Sequence, residues 1–363
     1  MPLVNEEYKY SCFQNLALNV LKQGIIPFHV AFIMDGNRRY ATSRGLQKTE
    51  GHSQGFSKLS EVTTYFTYSF KVLRWCYDFG IKEVSVYAFS IENFKRAENE
   101  VSFLMDLALE KLNELAQHKE DLDKQGIRVR ILGNIRMLPK RLQRVAAQIM
   151  LMTRENTRQV NCLLRKDFLK ILVPSSSFDF RATLNIMMPY TTRDELTSAL
   201  DNIRRGVQSG YLHEDDISPE VIDRSSILRD CRPLDLLVRT SGEVRLSDFM
   251  LWQASRAAST FSFLTVHWPA LSFWHLVVAL LQFQLNRAAL LPLPECARCH
   301  LNRSNSEAIT VNGHNGKQYP IVIDVNEMKE RKHRLEAFYR MLEHVYYDEL
   351  IEMSNFPEDA ADE

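Results

Sequence analysis

Three short apolar runs in this chain each give way to a polar stretch of the kind that can hold a phosphate ester. The first, 30–34, empties into Asp35-Gly36-Asn37-Arg38-Arg39. The Asp35 carboxylate can hold a hard cation such as Mg2+, and Arg38 and Arg39 can grip phosphate oxygens with paired N–H groups. The second run, 84–89, ends in Ser90-Ile91-Glu92-Asn93-Phe94-Lys95-Arg96. The third, 233–238, ends in Arg239-Thr240-Ser241-Gly242-Glu243-Val244-Arg245-Leu246-Ser247, where Gly242 frees the backbone to approach an anion. Lys48 and His52 lie four apart and share a face if helical. An ordinary turn with solvated arginines would account for any one of these stretches. Repetition of the same polar ending at successive runs sets them apart. Basic groups beside a carboxylate, without a Walker-type glycine loop, suggest a diphosphate substrate held with Mg2+.

Elements must then bring these endings together. Runs this short, rich in β-branched and aromatic residues, read as buried strands. Strands are expected at 30–34, 84–89, 128–133, 184–187, 233–238 and 263–266. Helices are expected over 5–23, 56–79, 98–125, 139–156, 193–208, 271–286 and 325–352. This alternation predicts an α/β fold with a central, mostly parallel sheet flanked by helices, followed by a helical C-terminal extension. Ligands in such folds bind at the carboxyl edge of the sheet, where all three polar endings fall.

Composition narrows the function classes. The 363 residues carry 45 basic and 45 acidic side chains, so the net charge is zero. That excludes non-specific coating of nucleic acid, which needs a basic surface, and any anion site must be local. Six cysteines are scattered along a chain with no recognisable signal peptide, which points to free thiols in a reducing compartment. No run of about 18 apolar residues encodes a membrane span. Residues 5–23 carry one apolar face, suited to packing on the domain or to lying in a membrane surface. Cys296-x-x-Cys299-His300 imitates half of a metal or haem site but has no second ligand pair nearby.

Asp35-Gly36-Asn37-Arg38-Arg39-Tyr40-Ala41, Glu50-Gly51-His52-Ser53-Gln54-Gly55, the stretch from Tyr87 to Arg96, and Arg239-Thr240-Ser241-Gly242-Glu243 with Arg245-Leu246-Ser247 resemble the signature regions of the cis-prenyltransferases. The likeness is nearest to the eukaryotic catalytic subunits of dolichol synthesis and covers residues 1–290 or so. It implies condensation of isopentenyl diphosphate onto farnesyl diphosphate, giving a long polyprenyl diphosphate for dolichol and protein glycosylation. By the same resemblance Asp35 coordinates Mg2+, with Glu243 near the metal. Gly36, Asn37, Arg38, Arg39 and Lys48 cradle the allylic diphosphate, and Asn37 and His52 assist ionisation and proton handling. Arg239, Arg245 and Ser247 hold isopentenyl diphosphate, while Ser90, Asn93 and Arg96 shape the space between the substrates. Phe56, Phe89, Phe94 and Phe103 are candidates for a product tunnel or for plain core. No Asp-Asp-x-x-Asp pair supports the trans-prenyltransferase arrangement.

The chain departs from that pattern in three places. Residues 63–72 and 163–180 look inserted, and everything from about 291 onward is different. The expected organisation is an amphipathic helix at 1–24, a catalytic domain at 25–290, a linker at 291–324, and a helix with an acidic tail at 325–363. The family's Arg-x-Gly tail is missing from the end of the chain. This implies a two-subunit enzyme whose Nogo-B-receptor-like accessory subunit supplies the tail and a membrane anchor. Peripheral association with the cytosolic face of the endoplasmic reticulum membrane follows. The alternative is a non-catalytic binding subunit of such a complex, favoured by the insertions and opposed by Asp35, Asn37 and the paired arginines.

Overall fold

The computed structural model describes residues 9–37, 39–40, 71–157, 182–290, 309–312, 318–321 and 325–357. Strand β1 (His29–Ile33) is buried along its whole length, as expected at the centre of a parallel sheet covered on both faces. Its neighbours are β2 (Glu83–Tyr87) on one side and β5 (Leu236–Arg239) on the other. Beyond β2 come β4 (Ala182–Met187) and then β3 (Ile127–Leu132), while β6 (Thr260–Phe263) pairs with β5. All six strands run parallel, in the order β3-β4-β2-β1-β5-β6. The chain passes from β1 to β2 on one side and from β5 to β6 on the other. The crevice beyond the carboxyl ends of β1 and β5 is therefore a topological switch point, where open α/β sheets bind ligands.

Helices cover this sheet for readable reasons. Helix α1 (Cys12–Leu21) opens with a reciprocal cap, in which the Gln14 N–H donates to Ser11 Oγ and the Ser11 N–H donates to Gln14 Oε1. Its Leu18 and Leu21 join Phe32, Val86 and Val238 from the sheet and Phe79 from α2 (71–79) in the main core. That core is completed by Leu276, Leu280 and Phe283 of a later helix, Phe273–Leu290. Val72, at the end of the stretch read as an insertion, is itself buried in this core; residues 63–70 of that stretch and all of 163–180 lie outside the described residues.

Two expectations need correction. The helix expected over 98–125 is broken: α3 (Glu98–Gln117) ends where the His118 N–H closes on the Leu115 carbonyl, a 3-10 turn, before a short helix at Lys119–Lys124. The last strand of the parallel sheet is β6, not 263–266. It is an edge strand whose hydroxyl residues Thr260 and Ser262 turn inward while Phe261 and Phe263 stack outside, so an apolar run does not mark it.

The chain divides into two compact units. The first contains the sheet and draws on Met1–Glu195, Asp230–Arg287 and Asp348–Glu363. The second draws on Leu196–Arg229 and Ala288–Tyr347. It has its own small core of Ile203, Leu212, Val221, Phe338 and Leu342. There the buried Asp216 carboxylate meets Arg331 at 3.2 Å and Arg334 at 3.1 Å, a pairing that compensates its desolvation. Within the segment expected as a linker, Ile309–Asn312 and Gln318–Ile321 pair as an antiparallel hairpin. The C-terminal helix spans Val325–Ser354.

Candidate active site

Asp35 follows β1 and is held by its backbone on every side. Its carbonyl accepts from Thr240 Oγ1 at 2.8 Å, Ser241 Oγ at 2.8 Å and the Trp268 N–H at 3.1 Å. Its own N–H donates to Thr240 Oγ1 at 3.0 Å. Such over-determination fixes the carboxylate at the switch point. Gly36 makes the arrangement possible: its φ is +95°, and a Cβ there would overlap the Ser241 hydroxyl and stand 2.5 Å from His267 Nδ1.

The carboxylate accepts from Arg239 Nη2 at 2.9 Å and from the Gly36 N–H at 2.6 Å, with Arg39 Nη2 at 3.4 Å. Partial burial pushes the Asp35 carboxyl up. The Arg239 hydrogen bond and charge, the Gly36 N–H and the Arg39 charge outweigh that and hold it below the usual carboxylate range. Asp35 is therefore ionised at neutral pH. Arg239, at the end of β5, has a side chain only 4% exposed. Besides Asp35 it donates to Ser247 Oγ at 2.7 Å and to the Arg245 carbonyl. Arg39 also meets Glu243 at 3.6 Å, and Glu243 pairs with the exposed Arg245 at 3.0 Å. Arg39 thus bridges the two carboxylates that sequence reasoning linked to a metal.

These groups open onto a cavity of about 910 Å³. Asp35, Asn37, Ser90, Asn93, Arg96, Arg239, Arg245 and Ser247 all line it. Asn37 Oδ1 is buried without a partner among the described residues, an acceptor left for a ligand or ion. Ser90 Oγ accepts from the Glu92 N–H at 3.2 Å, and Arg96 is held by Asn93 Oδ1 at 3.2 Å and Glu100 at 2.9 Å. The other end of the cavity is apolar, with Phe103, Leu104, Leu107, Ala108 and Leu112 of α3 facing Phe89, Ile186 and Met188. Phe89 and Phe103 line it. Phe94 does not, packing edge-on against Phe89 at 4.9 Å between ring centroids. Arg38, Lys48, His52, Phe56, Cys296 and Cys299 lie outside the described residues.

One contributor was missed. The stretch Tyr190-Thr191-Thr192-Arg193, after β4, is a fourth strand ending rich in hydroxyls and arginine, and Thr191 and Arg193 line the cavity. The rule that picked out the other three endings would have found it. Tyr87, at the end of β2, also lines the cavity, and burial pushes its phenol up to about 12 while a hydrogen bond with Ser90 pulls the other way. It remains a neutral donor.

The loop after β5 carries left-handed backbone at Ser241 (φ 76°), Ser247 (φ 51°), Asp248 (φ 58°) and Met250 (φ 49°). Each such non-glycine residue costs roughly 1–2 kcal/mol, a strain that collects at functional loops.

A hard carboxylate, several guanidinium groups and an oily channel can hold a diphosphate with an apolar tail. The comparisons agree. The family model described as "Putative undecaprenyl diphosphate synthase" matches residues 33–166 and 164–289. The chain is 41% identical over 285 residues to a dehydrodolichyl diphosphate synthase complex subunit of Homo sapiens, covering 78% of this chain and 75% of that one. It is 36% identical over 272 residues to the corresponding subunit of Schizosaccharomyces pombe, covering 75% and 90%. Among solved structures, lavandulyl diphosphate synthase from Lavandula x intermedia, in complex with dimethylallyl diphosphate, superposes with a TM-score of 0.58 at 25% identity, covering 71% of this chain and 95% of that one. The chain belongs to the undecaprenyl diphosphate synthase family, the cis-prenyltransferases.

Proposed function

We propose that this cis-prenyltransferase condenses isopentenyl diphosphate units onto farnesyl diphosphate, building a long dehydrodolichyl diphosphate for dolichol synthesis. The observation that supports this reading most is the two-ended cavity, with Asp35, Asn37 and Arg239 at one end and Leu107 and Leu112 at the other. Its volume falls in the range of small-molecule sites and matches an anionic head with a hydrocarbon tail.

In each cycle the allylic C1–O bond breaks and the diphosphate leaves with the electron pair. The alkene of isopentenyl diphosphate attacks C1, and loss of a C2 proton sets the new double bond. Arg39 and its sequence neighbour Arg38 would take the growing charge of the leaving diphosphate, with Lys48 and Gly36 completing its cradle. Asn37, whose Oδ1 has no partner among the described residues and could accept only from a donor or a cation, would assist the ionisation. His52 would handle the proton. Arg239, Arg245 and Ser247 would hold isopentenyl diphosphate, and Ser90, Asn93 and Arg96 would shape the pocket between the two substrates. Phe89 and Phe103 supply a water-poor wall for the allylic cation.

Asp35 and Glu243 are hard oxygen donors near one another through Arg39, which fits Mg2+, an ion bound by one or two carboxylates together with substrate phosphates. When bound, Mg2+ would neutralise diphosphate charge and ease departure of the leaving group.

Partner and place follow the same reading. Relatives carrying "complex subunit" in their names favour a heteromer, with a Nogo-B-receptor-like accessory subunit. Among the described residues no helix is long and apolar enough to cross a membrane. Two exposed apolar stripes favour peripheral attachment to the endoplasmic reticulum: Phe13, Leu16 and Val20 on α1, and Trp274, Val278, Leu281 and Leu285 on Phe273–Leu290. Tyr10, just ahead of α1, packs on Phe273, and Gln284 donates to the Leu21 carbonyl of α1 at 2.9 Å. No acidic residue lies on either helix.

The test is incorporation of labelled isopentenyl diphosphate into lipid with farnesyl diphosphate and Mg2+, with and without the co-expressed accessory subunit. Long polyprenyl products that disappear on chelation are the expected result. Folded protein that makes no product under either condition overturns the catalytic reading in favour of a binding subunit.

A further inference from the structure

Three left-handed residues within four positions, Ser247, Asp248 and Met250, make a loop that must be held from outside. Two hydroxyls from other strand endings do this. Thr192, the first residue of the helix Thr192–Gln208, accepts from the Leu251 N–H at 3.0 Å through its Oγ1. The same hydroxyl donates to the Asp248 carbonyl at 3.1 Å, and the Thr192 N–H reaches that carbonyl at 2.8 Å. Tyr87 directs its hydroxyl between the Tyr190 carbonyl, 3.1 Å away, and the Ser247 carbonyl, 3.3 Å away, so that one O–H spans the β4 ending and the loop, and its ring stacks on Phe249 with centroids 4.4 Å apart. The loop's side chains and backbone then feed directly into the cradle, because Arg239 donates to Ser247 Oγ and to the Arg245 carbonyl.

We propose that Thr192 and Tyr87 are positioning residues, whose hydroxyls clip the 247–251 loop so that Arg239, Arg245 and Ser247 keep the geometry that binds isopentenyl diphosphate. The proposal rests on the assignment of that cradle to isopentenyl diphosphate. Neither hydroxyl needs to touch the substrate; each acts through backbone carbonyls and N–H groups. The clips come from β2 and from the start of the Thr192 helix, so they tie the carboxyl ends of β2 and β4 to the loop that follows β5.

The experiment compares steady-state kinetics of the full chain, with its accessory subunit where activity requires it, for wild type, Thr192→Val, Thr192→Ser, Tyr87→Phe and Arg245→Ala. Thr192→Val keeps shape and removes the hydroxyl. It should raise KM for isopentenyl diphosphate about tenfold, the scale of a lost hydrogen bond, with kcat and KM for farnesyl diphosphate within about twofold. Thr192→Ser restores the hydroxyl and should return KM to near the wild-type value. Tyr87→Phe should raise the same KM in the same selective way, and carries the test if Thr192→Val does not melt as a folded protein. An unchanged KM for isopentenyl diphosphate in a folded variant overturns the proposal, as do equal changes for both substrates or a serine variant that rescues nothing. Arg245→Ala separates the two levels. If it raises KM while Thr192→Val does not, positioning fails and the cradle stands. If it too leaves KM unchanged, the assignment of the cradle fails, and the proposal with it.

Discussion

Arg239 donates to the Asp35 carboxylate at 2.9 Å, joining the carboxyl ends of two adjacent parallel strands, β1 and β5, across the switch point of the sheet. The guanidinium is nearly inaccessible while the carboxylate is 30% exposed, so the pair has one face sealed and one face toward the cavity. A ligand can reach Asp35 without unseating Arg239.

Asp35→Ala should lower turnover by on the order of 10³-fold, the scale of losing a group that manages charge in the transition state. It also leaves Arg239 buried without its carboxylate, which should cost about 1–2 kcal/mol, less than a fully buried pair because Asp35 is partly solvated. Prenyl transfer assays and urea denaturation read the two effects. A folded, active Asp35→Ala enzyme would remove the carboxylate from the reaction.

The same pair sets a pH dependence. The Asp35 pKa in the folded protein lies below its unfolded value of about 3.9. Between the two values the unfolded chain binds more protons, so stability rises with pH. The contribution is present above about pH 4 and is lost as pH falls through the folded value. Asp35→Asn has nothing to titrate there. Its urea midpoint should shift less than that of wild type between about pH 5 and about pH 3, and parallel shifts would contradict the depressed pKa.

Arg245 is 68% exposed along its side chain and pairs only with Glu243 among the ion pairs of the described residues. Its truncation should leave the fold intact. Arg245→Ala should raise KM for isopentenyl diphosphate by about tenfold or more while changing kcat far less, since a charge-assisted contact is worth more than a neutral one. An unchanged KM would remove Arg245 from that subsite.

The strands and their polar endings were legible because parallel strands are buried on both faces and leave unbroken apolar runs, as at Val30 to Ile33. Asp35, Asn37, Arg239, Arg245 and Ser247 come together because the topology brings those endings to one edge. What stayed hidden depends on partners distant in sequence. His29 sits in the middle of the sheet with Nε2 2.8 Å from Ser85 Oγ, and Asn185 donates to Glu83 at 2.7 Å, yet nothing local marks these residues as buried. The edge strand β6 hides its hydroxyls and shows its rings, the reverse of the pattern that sequence periodicity detects. The clip from Thr192 to the 247–251 loop joins residues 56 or more positions apart and has no local signature.

Gly36 and Gly80 separate strain from collision. Both have positive φ, +95° and +91°, but a Cβ on Gly80 meets nothing within 4 Å, whereas one on Gly36 would overlap the Ser241 hydroxyl. Left-handed strain alone, roughly 1–2 kcal/mol, should lower Tm of Gly80→Ala by only about 1–3 °C in a chain of this length. Gly36→Ala should lose clearly more, and should lose activity as well, because the atoms displaced are those that hold the Asp35 carbonyl. Equal losses in calorimetry would show that the close approach of Gly36 to Ser241 carries no energetic weight.

The last prediction concerns how far the product can grow. Glu100 and Leu112 both line the cavity, one at its polar mouth and one toward its apolar end, twelve residues apart on α3. At 1.5 Å per residue that is about 18 Å of channel wall. Leu112 is 4% exposed and faces open cavity rather than packed atoms on that side, so a larger side chain has space to enter the channel instead of straining the core. Leu112→Trp should leave the first condensation onto farnesyl diphosphate within about threefold of wild type, since the change lies far from Asp35 and Arg239. It should stop elongation early, because each added unit pushes the tail along the wall toward the indole. Reverse-phase separation of the labelled polyprenols reads the outcome directly. A shorter product ladder with normal initial rate places the growing chain along α3, and an unchanged ladder from folded protein would mean that the chain leaves by another route.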